Sequence, residues 1–296
     1  MARFLFIPLL ANLVLLSATP ASAQVYAFQT GDHIAVADLA DPQSPVRKLV
    51  EGTDPAISPD GKEVAFTKSD PEGNRRIAIV DVATAKVRLV AGIPGQNEFM
   101  PAWSVDGKRL SFHHFAESDW ELAQVDPAEG TFQILLKEGD RSAGAYGVFP
   151  NGNGWLCHDL DSFFLLKPGG IREVPNSTDV RGLSMPSRID VAPDCKRALF
   201  EASVEEDMGP DDEGPPTAIF LIDLATGERT RITPKGLNAL YPSWLPGTEE
   251  FLFAGFDVKA MEDTIYRMKA APGETPVLVR KNASWPSVAK GTGHSR

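Results

Sequence analysis

The chain alternates short apolar runs with clusters of Gly, Pro and Asp. One set of runs ends on a charged residue and a small turn: Ile77-Ala-Ile-Val-Asp81 precedes Val82-Ala-Thr-Ala-Lys86, and Ile219-Phe-Leu-Ile-Asp223 precedes Leu224-Ala-Thr-Gly-Glu228. Ile34-Ala-Val-Ala-Asp38 and Leu122-Ala-Gln-Val-Asp126 fit the pattern, with Phe164-Leu-Leu-Lys167 and Ile265-Tyr-Arg-Met-Lys269 as looser copies. A second set follows tight turns. Ser58-Pro-Asp-Gly-Lys62 leads into Val64-Ala-Phe66, and Ser104-Val-Asp-Gly-Lys108 into Leu110-Ser-Phe112. Degenerate copies are Phe149-Pro-Asn-Gly152 before Trp155-Leu-Cys157, Ala192-Pro-Asp-Cys-Lys196 before Ala198-Leu-Phe200, and Leu245-Pro-Gly-Thr248 before Phe251-Leu-Phe253. Such β-prone runs between chain breakers are strands joined by hairpins.

The turns recur roughly every 45 residues, the size of one four-stranded propeller blade, which buries both sheet faces only against its neighbours. Five units cover 51–92, 98–138, 142–176, 184–233 and 239–280, here called blades two to six. Residues 25–50 hold three strands with no leading one, and Trp285-Pro-Ser-Val288 reads as a leading strand with nothing after it. Together they complete blade one. The expectation is an all-β, six-bladed propeller whose N-terminal blade is closed by a C-terminal strand, leaving no free sheet edge. Phe66, Phe112, Phe200 and Phe253 share one position of the second strand and are expected between blades.

These repeats resemble those of the TolB-like propeller family, close to the WD40-like repeats. Pro101-Ala-Trp-Ser-Val-Asp-Gly-Lys108 and Pro55-Ala-Ile-Ser-Pro-Asp-Gly-Lys62 carry the likeness, with Pro242-Ser-Trp244 as a partial match. It covers residues 24–296, read as a single domain. TolB itself carries an α/β domain before its propeller and docks a lipoprotein, and the related oligopeptidases append a hydrolase domain. The expectation here is a propeller alone, and the resemblance implies an envelope-associated scaffold for protein–protein interaction.

Composition narrows the setting. Residues 1–23 have the form of a secretory signal peptide: Arg3, an apolar run from Phe4 to Leu16, then Ala21-Ser22-Ala23 before Gln24. That run falls short of the ~20 apolar residues that cross a bilayer. The expectation is therefore a periplasmic or secreted protein without membrane insertion. No Cys follows the run to accept a lipid anchor. Against 29 Lys and Arg stand 40 Asp and Glu, a net charge of −11 that disfavours nucleic acid and anionic lipid. With only 2 Cys beside 25 Gly and 24 Pro, the fold rests on a core and turns, not on a disulfide framework.

The repeated turn is not read as an active site. Asp60, Asp106 and Asp194 fall where a turn needs a side-chain acceptor, and Gly61 and Gly107 where it needs positive φ. Cys195 takes that glycine's place in blade five while Cys157 aligns with Phe66 in mid-strand, a separation expected to exceed the ~7 Å limit for a disulfide. His113, His158 and Glu201 each follow the core residue of the second strand in adjacent blades. Their types suit a metal, but a metal needs its ligands within about 2.0–2.3 Å of one point. They are weak candidates, and no cofactor is expected. No Gly-x-Ser-x-Gly elbow occurs and no catalytic residue stands out. Trp103, Trp244 and Trp285 fall in first strands and Trp120 is placed in a loop, which gives no repeated aromatic pocket for a lectin-like module.

Charge is uneven between the faces of the disc. Loops joining second to third strands hold Glu117, Asp119 and Glu121 in blade three, Asp159 and Asp161 in blade four, and Asp257, Glu262 and Asp263 in blade six. Blade five adds an insertion, Val204 to Pro216, with Asp211, Asp212 and Glu213. In blade two, Lys68, Arg75 and Arg76 offset the acids. The leading expectation is a monomeric scaffold that uses this face, with Glu117, Asp119, Asp159, Asp161, Asp211, Asp212 and Glu213 as partner-binding candidates, for a protein or peptide of basic character. The alternative is a propeller lyase or hydrolase acting on a small molecule or polysaccharide at the channel mouth.

Overall fold

A computed structural model describes residues 24–291 apart from 42, 117–118, 138–140, 142, 186, 210–213 and 258–259. The signal segment and Glu117, Asp211, Asp212 and Glu213 lie outside the described residues. Six four-stranded antiparallel sheets form the six blades, five of them with their strands in chain order from the inside outwards. The innermost strands of blades two to six are Thr53–Ile57, Glu98–Trp103, Ala145–Val148, Ile189–Val191 and Asn238–Trp244. Blade one takes its innermost strand, Ser284–Val288, from the far end of the chain: Tyr26 pairs with Val288, Ala27 with Ser287 and Gln29 with Ser284.

Six buried apolar clusters fill the fold, one at each junction between blades. Phe66 packs between blades one and two, Phe112 between two and three, Phe200 between four and five, and Phe253 between five and six. Each is at most 2% exposed, as the repeat alignment requires. Tyr26 and Phe28 do the same between blades six and one. Two of the outermost strands, Val87–Leu89 and Gly170–Glu173, are exposed along their full length.

The repeated turns work locally. Asp60 accepts the Lys62 N–H at 3.1 Å and the Ser58 hydroxyl at 2.7 Å, and Asp106 repeats this with Lys108 at 3.1 Å and Ser104 at 2.6 Å. The residue after the Asp must be left-handed: φ is 74° at Gly61, 69° at Gly107 and 57° at Cys195, which takes that conformation without glycine's freedom. Both thiols are free; Cys157 is buried in its strand, and burial pushes its thiol up.

Several expectations change. Asp119, Glu121, Glu262 and Asp263 are not in loops but in the strands Asp119–Val125 and Glu262–Lys269, and Asp257 ends the strand Glu250–Asp257, because the hairpins between second and third strands are shorter than the charge pattern suggests. Trp120 is not in a loop: it lies in the strand Asp119–Val125, paired with Phe115. Arg75 and Arg76 are likewise in a strand, Arg75–Asp81, and turn onto blade three instead of offsetting surface acids. The reason is packing, since the Arg75 stem and guanidinium cover aromatic surface that water would otherwise meet. No helix among the described residues is long and apolar enough to cross a membrane.

Candidate functional site

The innermost strands surround a channel, and four of them share one irregularity. Asp54, Met100, Tyr241 and Trp285 each precede a proline and each has a left-handed backbone, with φ of 55°, 53°, 56° and 50°. Pairing shifts there in every case, so the strand bulges opposite Phe66, Phe112, Phe253 and Phe28. Pre-proline residues strongly prefer extended backbone, so these positions are strained and must be held by their surroundings. Blades four and five depart from the pattern. Tyr146 sends its hydroxyl to within 2.6 and 2.7 Å of the Met100 and Ser111 carbonyls, and Arg188 donates across the channel to the Pro286 carbonyl at 2.8 Å. The lined cavity is about 110 Å³.

The shared level of His113, His158 and Glu201 is real, and it explains part of that holding. Thr67 sits at the same level in blade two. Its hydroxyl donates to Asp54 at 2.7 Å and accepts the Met100 N–H at 3.2 Å. Glu201 does the equivalent work three junctions on, accepting the Arg188 N–H at 3.0 Å and the Tyr241 N–H at 2.5 Å. Burial raises its carboxyl to about 7. The two histidines pack instead. His113 stacks on Phe99 with centroids 4.9 Å apart and meets the edge of Tyr146 at 5.2 Å, both ring nitrogens lack a hydrogen-bond partner among the described residues, and burial depresses it to about 3. His158 lies 2.9 Å from the Ser187 hydroxyl and accepts the Leu160 N–H at Nδ1 at 3.3 Å, which leaves Nε2 as the protonated nitrogen; burial depresses it to about 4. Among the described residues no group of three or more His, Cys, Asp or Glu is arranged to hold a metal ion.

The acidic loops divide into engaged and open. Asp159 pairs with Arg141 at 2.6 Å and accepts the Ser162 N–H at 2.8 Å, so it shapes its own turn and its carboxyl is held below the ordinary range. Asp161 is exposed in the same turn, and Asp119 begins its strand. At the base of the blade-five insertion, Asp207 pairs with Arg231 and with Lys235, so that segment folds back onto its own blade. Blades six and one are different. Between them the loop face opens into a cleft of about 490 Å³ lined by Tyr241, Trp285, Glu262, Asp263 and Asn282. The two rings stack with centroids 3.7 Å apart and planes 18° from parallel. Burial raises the Asp263 carboxyl, opposed by a hydrogen bond from Ser284. Among the described residues neither Glu262 nor Asp263 has a basic partner.

Sequence reasoning named Glu262 and Asp263 but missed Tyr241, Trp285, Arg188 and Tyr146. A signal for two of them was present: the X-Pro pairs of the leading strands, Asp54-Pro55, Met100-Pro101, Tyr241-Pro242 and Trp285-Pro286.

The protein is thus a six-bladed β-propeller with a polar channel and an acidic cleft at its loop-face mouth. No protein-family model matches the sequence, and no curated protein matches it. The fold is similar to TolB from Acinetobacter baumannii, with a TM-score of 0.66 and 17% identity over 90% of this chain and 66% of that one. The chain therefore spans slightly less than two thirds of that TolB. A chain in the structure of a nidogen/laminin complex matches with a TM-score of 0.66 and 9% identity, over 90% of this chain and 98% of that one. Oligogalacturonate lyase from Vibrio parahaemolyticus follows, with a TM-score of 0.53 and 14% identity over 87% and 74% of the two chains. At these identities the likeness is one of fold.

Proposed function

We propose that this protein is an exported scaffold, periplasmic or secreted, whose loop-rich face receives a basic protein or peptide partner. The observation that carries this reading is the pair of acids, Glu262 and Asp263, beside the channel mouth and without a basic partner among the described residues. Loops held on a rigid ring commonly carry recognition, and uncompensated charge steers an oppositely charged partner. The fold likeness to TolB agrees with this reading. The likeness to an oligogalacturonate lyase supports an enzymatic alternative only as fold, and two carboxylates at the mouth repel a polyuronate. His113 and His158 offer no proton at neutral pH, since burial holds them at about 3 and about 4.

The test is to immobilise residues 24–296, capture a partner from an envelope extract, and measure its association rate at low and high salt. The rate should fall with salt, and neutralising Asp211, Asp212 and Glu213 should slow it without changing the melting temperature. A captured partner whose on-rate ignores both salt and these substitutions would move the site off this face. Turnover of a polysaccharide by the purified chain would replace the scaffold reading altogether.

A further inference from the structure

Two junctions of the ring place register-equivalent residues at the start of a third strand. Counting along each strand from the residues opposite Phe66 and Phe253, Arg75 of blade two corresponds to Asp263 of blade six. In the same alignment Asn97 corresponds to Asn282 and Met100 to Trp285. At the first junction the chain supplies its own cation. The Arg75 guanidinium lies 4.3 Å from the Phe99 ring centroid and 5.2 Å from that of Trp120, and its Nε donates to the Asn97 side chain at 2.8 Å. At the second junction Ser284 stands in the place of Phe99, and a different aromatic pair, Tyr241 and Trp285, lines the cleft of about 490 Å³ beside Asn282, Glu262 and Asp263; the residue corresponding to Arg75 is an acid, and among the described residues no basic side chain pairs with it.

We infer that the cleft between blades six and one is a receptor for a guanidinium group, an arginine side chain presented by the partner. The inference rests on the loop face being the partner surface. A planar guanidinium matches both halves of the site, stacking on an aromatic face while its N–H fork meets carboxylate oxygens. Ammonium would satisfy the charge but not the plane.

The probe is ethylguanidinium, titrated into residues 24–296 at constant ionic strength and followed by the indole N–H resonance of Trp285. Ethylurea is the neutral isostere and ethylammonium the non-planar cation. Saturable binding is expected on the order of 1–10 mM, with ethylurea at least about tenfold weaker and ethylammonium a few-fold weaker. Glu262→Gln with Asp263→Asn should weaken it by about fivefold or more. Asp263→Arg should abolish it in a folded protein by placing in the cleft the cation that Arg75 supplies elsewhere. No saturable shift, equal binding of ethylurea, or undiminished binding by a folded Asp263→Arg variant would each overturn the inference. A partner that is captured with salt-dependent kinetics while ethylguanidinium fails to bind would leave the scaffold reading standing and remove this site alone.

Discussion

The junction between blades two and three and the junction between blades six and one share an apolar floor and differ at the loop-face rim. Below, Phe112 with Leu110 and Ile79 fills one, and Phe28 with Tyr26 and Ile265 fills the other. Above, Arg75 covers Phe99 and Trp120, and Arg76 pairs at 3.2 Å with the fully buried Glu98. At the rim of the second junction Asp263 stands where the first has Arg75, and Thr264 where it has Arg76. Its left-handed residue, Trp285, also follows a blade whose level residue is Ala254, which has no side-chain acceptor to offer, whereas Thr67 holds Met100. The lesson is that one repeat frame builds either a sealed or an open junction, and that the choice lies in a few rim residues and not in the core.

The largest effect should come from breaking the open junction's inner wall. Truncation after Lys281 removes Ser284–Val288, opens the edge of Val25–Thr30 and exposes the cluster around Phe28. A loss of several kcal/mol is expected, enough to unfold a domain of ordinary stability. A melting temperature unchanged by the truncation would mean that blade one does not need its closing strand. Next, Phe112→Ala and Phe28→Ala should each cost about 3–5 kcal/mol in urea unfolding. Equal losses would support the shared floor; a loss under ~1 kcal/mol for Phe28→Ala alone would show that the open junction is loose throughout its depth.

The third comparison uses pH. Tyr241, one wall of the cleft, is held by Glu201, whereas Met100 is held by the neutral hydroxyl of Thr67. Burial raises Glu201 to about 7 from an ordinary 4.5, so the folded state binds its proton more tightly than the unfolded chain does. Its contribution is complete below the unfolded value and is lost as pH rises through about 7. His113 and His158 act in the opposite sense, their depressed values costing stability as pH falls below about 6.5. The informative quantity is therefore the stability of the parent minus that of Glu201→Gln, which should fall by about 2 kcal/mol between about pH 5 and pH 8. A constant difference would mean that Glu201 does not titrate in this range. Thr67→Val should show a pH dependence of its own, losing more stability as pH rises, because its hydroxyl is one of the contacts that hold down the buried Asp54 carboxyl.

Blade number, closure and the burial of Phe66, Phe112, Phe200 and Phe253 were legible because they rest on local features: turn residues at fixed offsets and a period-2 strand leading to one core position. The shared level of His113, His158 and Glu201 was legible for the same reason. The cleft was not, because it depends on which side chain from one blade meets which from the next, over long sequence separations. Arg75 looked like a surface charge until Phe99 and Trp120 were placed under it. Asp263 looked like one acid among many. Trp285 read only as a strand residue, since nothing in Trp285-Pro286 announces that its ring will stack on Tyr241.

The smallest effect is the most discriminating one, because it predicts opposite signs at corresponding positions. Arg75→Ala removes a stacked guanidinium and its hydrogen bond to Asn97, and should cost about 1–2 kcal/mol. Asp263 is a half-buried carboxylate without a basic partner among the described residues, and burial raises its pKa, so its charged form is disfavoured in the folded state. That stability is present below the ordinary carboxylate range and is lost as pH rises through the raised folded value, which leaves the charged form as a small liability at neutral pH. Asp263→Asn keeps the size and can still meet Ser284, so at pH 7 it should stabilise the protein by a few tenths of a kcal/mol, after allowance for solvent screening of a half-exposed group. Chemical denaturation of the two single variants and their double measures both values and their additivity, expected because the sites share no partner. If Asp263→Asn instead costs as much as Arg75→Ala, then Asp263 is already satisfied within the folded chain, and the open junction is as internally complete as the sealed one.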